Sequence, residues 1–194
     1  MMMTLTPERV PLTKLPKAGL TGQMLLEMGD IGPCELVEGE LVLMSPTKPK
    51  HGNVEYCVSK LIGDFVETHD LGDVFVGEVG VYTQRNPDTV RGADVVFISH
   101  AQYERSAAGD FFTVAPELVV EILPPNDRWS HVRQKLREYF GIGVRIVLVV
   151  DVKEAVIELY RSPTNVQELR AGDVLTMEEI LPGLSLPVEK LLGE

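Results

Sequence analysis

Apolar residues between positions 52 and 68 fall at Val54, Val58, Leu61, Ile62 and Phe65. That one-sided spacing predicts an amphipathic helix, with Gly72 beyond its end. Before it, ELVEGELVLMSP carries two apolar-rich stretches around Glu38-Gly39, a hairpin turn pattern, and Pro46 and Pro49 close it. Thr21 can cap a short helix running to about Met28, which the 29–32 stretch stops. The middle of the chain reads as strands at 74–83, 93–99 and 117–123, the third stopped by Pro124-Pro125. Asn126 or Asp127 can cap a helix running to about Phe140, closed by Gly141 and Gly143. Further strands are predicted at 145–151, 155–161 and 166–169. The tail from Met177 reads as a small helix, the LPGL break and a final helical stub.

This order places helices outside and strands inside, with a strand–helix–strand unit at 117–151 expected to form a right-handed parallel crossover. The hairpins elsewhere make the sheet mixed. The expected fold is α/β, a mixed central β-sheet flanked by helices. The 194 residues suit one domain, 20–194, preceded by a Pro-rich arm, 1–19. No internal repeat or low-complexity linker interrupts it.

Composition changes this picture in three ways. No apolar run approaches the roughly 18 residues of a membrane span, and MMMTLTPERV lacks a basic region followed by an apolar stretch. Cys34 and Cys57 form no CxxC and have no histidine cluster beside them, which argues against structural zinc and for free thiols in a cytoplasm. The net charge of −11 argues against nonspecific nucleic-acid binding. The charge is uneven, however. Arg128, His131, Arg133, Lys135 and Arg137 form a basic stretch, and Lys48, Lys50 and His51 a smaller one.

Candidate chemistry centres on two acids embedded in apolar strands: Asp94 in GADVVFIS and Glu121 in ELVVEILPP. A carboxylate there is costly to bury without a partner. The pair can hold a hard divalent cation such as Mg²⁺. Equally, each acid can be solvated at a strand end, or paired with an arginine. On the following helix, Trp129, Val132, Leu136, Tyr139 and Phe140 form the stripe expected to be buried. Lys135, Arg128 and His131 share one flank, from which Lys135 can extend toward the strand of Glu121. By spacing alone a solvated lysine is the simpler reading. His51, expected just before the 52–68 helix, can contact phosphate or serve only as a helix-entry residue. Glu35 and Glu78 are expected to face solvent, and Trp129 to be core.

The segment APELVVEILPPNDRWSHVRQKLREYFGIGVRIVLVVDVKEAVIELYR resembles the Uma-type family of restriction endonucleases within the PD-(D/E)XK nuclease superfamily. ELVEGELVLMSP, His51, GADVVFIS and GDVLTMEEILPGLSLPVEKLL extend the resemblance over nearly the whole chain from about Leu20. It implies a restriction-endonuclease-like sheet, Mg²⁺ (with Mn²⁺ as an alternative) and phosphodiester hydrolysis. It also implies Asp94 and Glu121 as metal ligands and catalytic acids. The motif lysine two residues after the second acid is replaced by Leu123, and Lys135 matches the family's helix lysine. Pro124 stands where the family has serine, removing a hydroxyl near the site.

The expected function is a metal-dependent endonuclease acting on DNA, cytoplasmic and homodimeric, with His51, Arg128 and His131 as nucleic-acid contacts and no membrane partner. The rival readings are an inert nucleic-acid-binding or interaction domain on the same fold, and a Mg²⁺-dependent hydrolase of another phosphate ester.

Overall fold

The computed structural model describes residues 19–29, 31–106, 111–123 and 129–194. A short helix α1 (Gly22–Glu27) is capped by Thr21, whose hydroxyl accepts from the Met24 amide, and leads into the hairpin β1 (Cys34–Val37) and β2 (Glu40–Leu43). The turn residues Glu38 and Gly39 have φ of 50° and 77°, the left-handed pair that a tight two-residue hairpin requires. Helix α2 (Pro49–Thr68) then buries Val54, Val58, Ile62 and Val66 along one stripe. Long strands β3 (Gly72–Gln84) and β4 (Thr89–Ser99) pair antiparallel, followed by the single-turn α3 (His100–Tyr103). The chain continues through β5 (Leu118–Leu123), α4 (Trp129–Ile142), β6 (Ile146–Asp151), β7 (Val156–Ser162) and β8 (Asn165–Leu169). It ends in β9 (Val174–Met177), β10 (Leu181–Pro187) and α5 (Val188–Leu191).

The main sheet runs β2-β1-β4-β5-β6-β7-β8, with β3 on the opposite edge of β4. The pair β5 and β6 is parallel and its neighbours are antiparallel, so the sheet is mixed as the pattern required. Alternation along the strands splits the core. Val95, Phe97, Val120, Ile122, Leu148 and Val150 pack toward α2 and the C-terminal elements. Val96, Ile98, Val119, Val147 and Val149 pack toward Val132, Leu136 and Tyr139 of α4.

Two expectations about elements fail. The segment after Met177 is not a helix: β9 and β10 form a separate antiparallel ribbon, and Met177, Leu181 and Leu184 insert into the α2-side core. Residues 174–187 alternate buried and exposed at period two for only a few positions at a time, too short a run to outweigh helix formers such as Met177, Glu178 and Glu179. Trp129 is 41% exposed, not core. It occupies the first turn of α4, where the apolar stripe has not yet reached the sheet. The proposed caps Asn126 and Asp127, together with Pro124, Pro125 and Arg128, lie outside the described residues, as do 1–18 of the N-terminal arm.

One topological detail positions everything that follows. On one edge, β4 pairs with β1 at Val90 and with β5 from Val95 to Phe97. Between them, Arg91 to Asp94 meet no strand on that side. The sheet forks there, and side chains take over the backbone groups that a ladder would have satisfied.

Candidate active site at the sheet fork

At the fork, the Glu35 carboxylate of β1 accepts from the Gly92 amide at 3.2 Å. Across it, Asp94 Oδ2 accepts from the Ile122 amide of β5 at 2.6 Å. These two carboxylates replace the missing rungs, which explains why acids sit in otherwise apolar strands.

A third acid arrives from β3. The β3–β4 register runs Val76 to Val95 and then Val79 to Ala93, so Gly77 and Glu78 together oppose Asp94. This β-bulge places Gly77 and Glu78 at φ of 88° and 59°. The left-handed conformation costs a glutamate about 1 kcal/mol, and strain of this kind concentrates at functional sites. Gly92 makes room for the result, since a Cβ there would stand 2.6 Å from Glu78 Oε2.

Helix α4 covers the fork. Lys135 and Tyr139, four residues apart on one face, both reach Glu121. Lys135 Nζ donates to Oε2 at 2.7 Å and the Tyr139 hydroxyl to Oε1 at 2.6 Å. Lys135 Nζ also lies 2.9 Å from Glu35 Oε1. Arg91, 6% exposed, locks the assembly by donating to Glu35 at 2.8 Å and to both oxygens of Glu138 on α4.

On the other face, His51 Nε2 sits 3.4 Å from Asp94 Oδ1. His51 is buried inside the first turn of α2, not ahead of it, because the helix begins at Pro49, a residue suited to a first helical turn. Asp94, Glu121, Glu78, Lys135, His51 and Lys48 line a common cavity of about 420 Å³, within the range of small-ligand sites.

The electrostatics are unbalanced. Among the described residues, six carboxylates (Glu35, Glu55, Glu78, Asp94, Glu121, Glu138) gather around three lysine and arginine side chains, Lys48, Arg91 and Lys135. Burial pushes Glu121 up to about 7, against the pull of Lys135 and with Asp94 and Glu35 adding to the rise. Burial and Asp94 likewise push Glu78 up to about 7. Although burial raises Glu35, Lys135 and Arg91 outweigh it and hold its carboxyl below the usual range. Burial weakens the charge on Lys135, but Glu121 and Glu35 more than restore it, so its ammonium stays charged. The Asp94 carboxylate holds His51 above the ordinary imidazole value. Opposed shifts packed into one cavity mark a functional-site candidate.

Set against the sequence, Asp94, Glu121, Lys135 and His51 come together around one cavity. His131 is exposed on α4, and Arg128 lies outside the described residues. Glu35 and Glu78 were expected in solvent. Instead Glu35 is 5% exposed and ion-paired, because the fork turns it inward, and Glu78 is aimed at the cavity by the bulge. The role of Arg91 and the Tyr139 hydroxyl bond were not read at all. Glycine beside glutamate within VFVGEVGVY was the available signal for the bulge.

The site thus joins acids on adjacent strands of a mixed sheet with a helix lysine beside them. A family model, Uma2, described as "Putative restriction endonuclease", matches residues 23–189, and the chain belongs to this family. Among solved structures, a "putative nuclease belonging to DUF820" from Anabaena variabilis is similar at 17% identity and a TM-score of 0.76. The match covers 90% of this chain and 98% of that one, and shows the shared fold. No curated protein matches the chain. Among the described residues, no helix is long and apolar enough to cross a membrane.

Proposed function

We propose that this protein is a Mg²⁺-dependent endonuclease that hydrolyses phosphodiester bonds in DNA. The observation that carries the reading is the Lys135 ammonium, 2.7 Å from Glu121 in a cavity that Asp94 also lines. The donor set fits a hard cation, since carboxylate oxygens dominate it and their charge exceeds that of the cations beside them. Asp94 and Glu121 would hold the ion, with Mn²⁺ an acceptable substitute. When bound there, Mg²⁺ supplies Lewis-acid polarisation of a phosphoryl oxygen and an acidified water.

The chain's own residues do the rest. Lys135 sets a fixed positive charge where charge builds on phosphorus, in a site where it needs no reorganisation. Tyr139 orients Glu121 by its hydrogen bond, and Arg91 with Glu35 fixes the lysine from behind. Lys48 at the cavity wall and His51 serve as phosphate contacts, with His131 of α4 and Arg128 as further nucleic-acid contacts. Cutting both strands of a duplex calls for two such sites, hence a homodimer, and the free thiols suit the cytoplasm.

The net charge of −11 favours a second reading, an inert interaction domain on the nuclease fold. Incubation of supercoiled plasmid with the protein and Mg²⁺ separates them. Nicking that stops with chelator and is lost in Asp94→Ala supports the endonuclease. Intact plasmid with Mg²⁺ or Mn²⁺ supports the inert domain.

A further inference from the structure

A second cavity, of about 540 Å³, opens beside the first, and Glu78 and Gly92 line both. Leu25, Leu26, Ile31 and Val90 make its walls largely apolar, and its size suits a small ligand group. Part of its floor is bare backbone, because Gly80 and Gly92 oppose each other in the β3–β4 ladder. Glycines inside strands weaken them and mark places where another group approaches the backbone closely. Here two side chains do so. A Cβ at Gly80 would stand 2.1 Å from the Phe111 ring, and one at Gly92 2.6 Å from the Glu78 carboxyl. Directly opposed residues share a sheet face, so the ring and the carboxyl lie side by side over the glycine pair.

The fold fixes both side chains there. Phe112 is tied to the edge of β3: its amide donates to the Gly80 carbonyl at 2.8 Å, and its carbonyl accepts from the Tyr82 amide at 2.9 Å. The Phe112 ring packs into the α4-side core, so alternation sends the half-buried Phe111 to the opposite face, where it meets Tyr82 edge to face at 5.9 Å. The bulge at Gly77 and Glu78 brings in the carboxyl. A ring with a carboxyl beside it matches what an unstacked nucleobase requires, a surface for its face and an acceptor for its amine.

We infer that this cavity receives a nucleobase bearing an exocyclic amine, splayed out beside the phosphate at the Asp94–Glu121 cavity, with its face on Phe111 and its amine donating to Glu78. Cytosine and adenine carry such an amine and thymine does not. A carboxyl oxygen accepts whether or not the group is protonated, so the contact does not depend on pH. The inference rests on the endonuclease reading and deepens it. A base held inside a duplex cannot enter, so the preferred substrate is single-stranded or unpaired at that nucleotide.

The test uses the full-length protein with Ca²⁺ in place of Mg²⁺, and short single strands as probes: oligodeoxycytidine, oligothymidine and an abasic deoxyribose-phosphate strand of equal length. Calorimetry reads affinity, gels verify that the strands stay intact, and thermal melts establish that each variant is folded. The cytidine strand should bind at least about fivefold more tightly than the abasic strand, and more tightly than both the thymidine strand and a duplex of the same length. Phe111→Leu should remove most of the gap to the abasic strand, and Phe111→Tyr should keep it. Glu78→Ala should bring the cytidine and thymidine strands level, whatever shift the lost charge imposes on both. Equal binding of base-bearing and abasic strands, a gap that survives in folded Phe111→Leu, or a cytidine preference that survives in Glu78→Ala would overturn the pocket. If binding depends on the base and plasmid stays intact with Mg²⁺, the pocket stands and the endonuclease reading fails. If plasmid is nicked and binding ignores the base, the reverse holds.

Discussion

The two halves of β4 behave as different materials. From Val95 to Ile98 the strand is apolar, each residue less than 2% exposed, and it is zipped to β3 on one side and, through Phe97, to β5 on the other. From Arg91 to Asp94 one edge has no strand partner, and carboxylates of Glu35 and Asp94 stand in for rungs. The zipped half is held by burial, which is insensitive to pH and ions. The forked half is held by charges taken out of water, which need partners and leave an excess of negative charge. A sheet that divides therefore makes a polar cavity inside an apolar core without a separate binding domain.

The largest effect on stability should come from breaking the fork. Arg91→Ala leaves Glu35 and Glu138 without their guanidinium, and the loss should be about 3–5 kcal/mol in denaturant unfolding. Leu118→Ala, on β5 opposite Phe97 of the zipped half and 0% exposed, should cost about 3 kcal/mol while leaving the Mg²⁺ response unchanged. A change in metal affinity there would mean that the two halves are not independent.

Tyr139→Phe sharpens the comparison further, with an expected loss of about 1 kcal/mol. It removes a donor to the charged form of Glu121, so the pH at which Mg²⁺ binding is half-maximal should rise relative to wild type. The apo protein's pH dependence follows from the same acids. Glu78 and Glu121 have folded values of about 7 against a reference of 4.5, so the folded state binds more protons in that window. Their contribution is greatest below the reference value and is lost as pH rises through about 7. His51, held above its reference by Asp94, has the same sign, its contribution being lost as pH rises through its folded value. Melting temperature should therefore fall between about pH 5 and pH 8, and Mg²⁺ should restore more of it at the higher pH. Glu78→Gln should flatten the curve. At the small end, Lys60→Ala removes an exposed helix pair with Asp64 far from the fork, and no change in melting temperature or metal response is expected.

What the sequence disclosed follows the same division. The zipped strands and α2 are dictated by period-two and helical patterns, so 93–99, 117–123 and 145–151 sit within a residue or two of observed strand ends, although β4 begins earlier, at Thr89. Asp94 and Glu121 stood out because their neighbours are apolar. Glu35, Glu78 and Arg91 did not, since their burial depends on the fork and on a bulge, which arise from pairing between distant segments and not from local pattern. Lys135 was reachable only through the family resemblance: on the helical wheel it is a flank residue like Arg128 and His131. The β9–β10 ribbon was misread because its apolar residues find their partners in the α2-side core, a long-range contact that local propensity does not encode.

The central claim is that Lys135 supplies catalytic charge and does not merely neutralise Glu121. The most direct measurement compares plasmid nicking and Mg²⁺ affinity of Lys135→Ala with wild type. The account predicts a folded variant that binds Mg²⁺ at least as tightly, having lost a competing cation, while its nicking rate drops by about 10²-fold or more. A Lys135→Ala protein that nicks plasmid at the wild-type rate would contradict it.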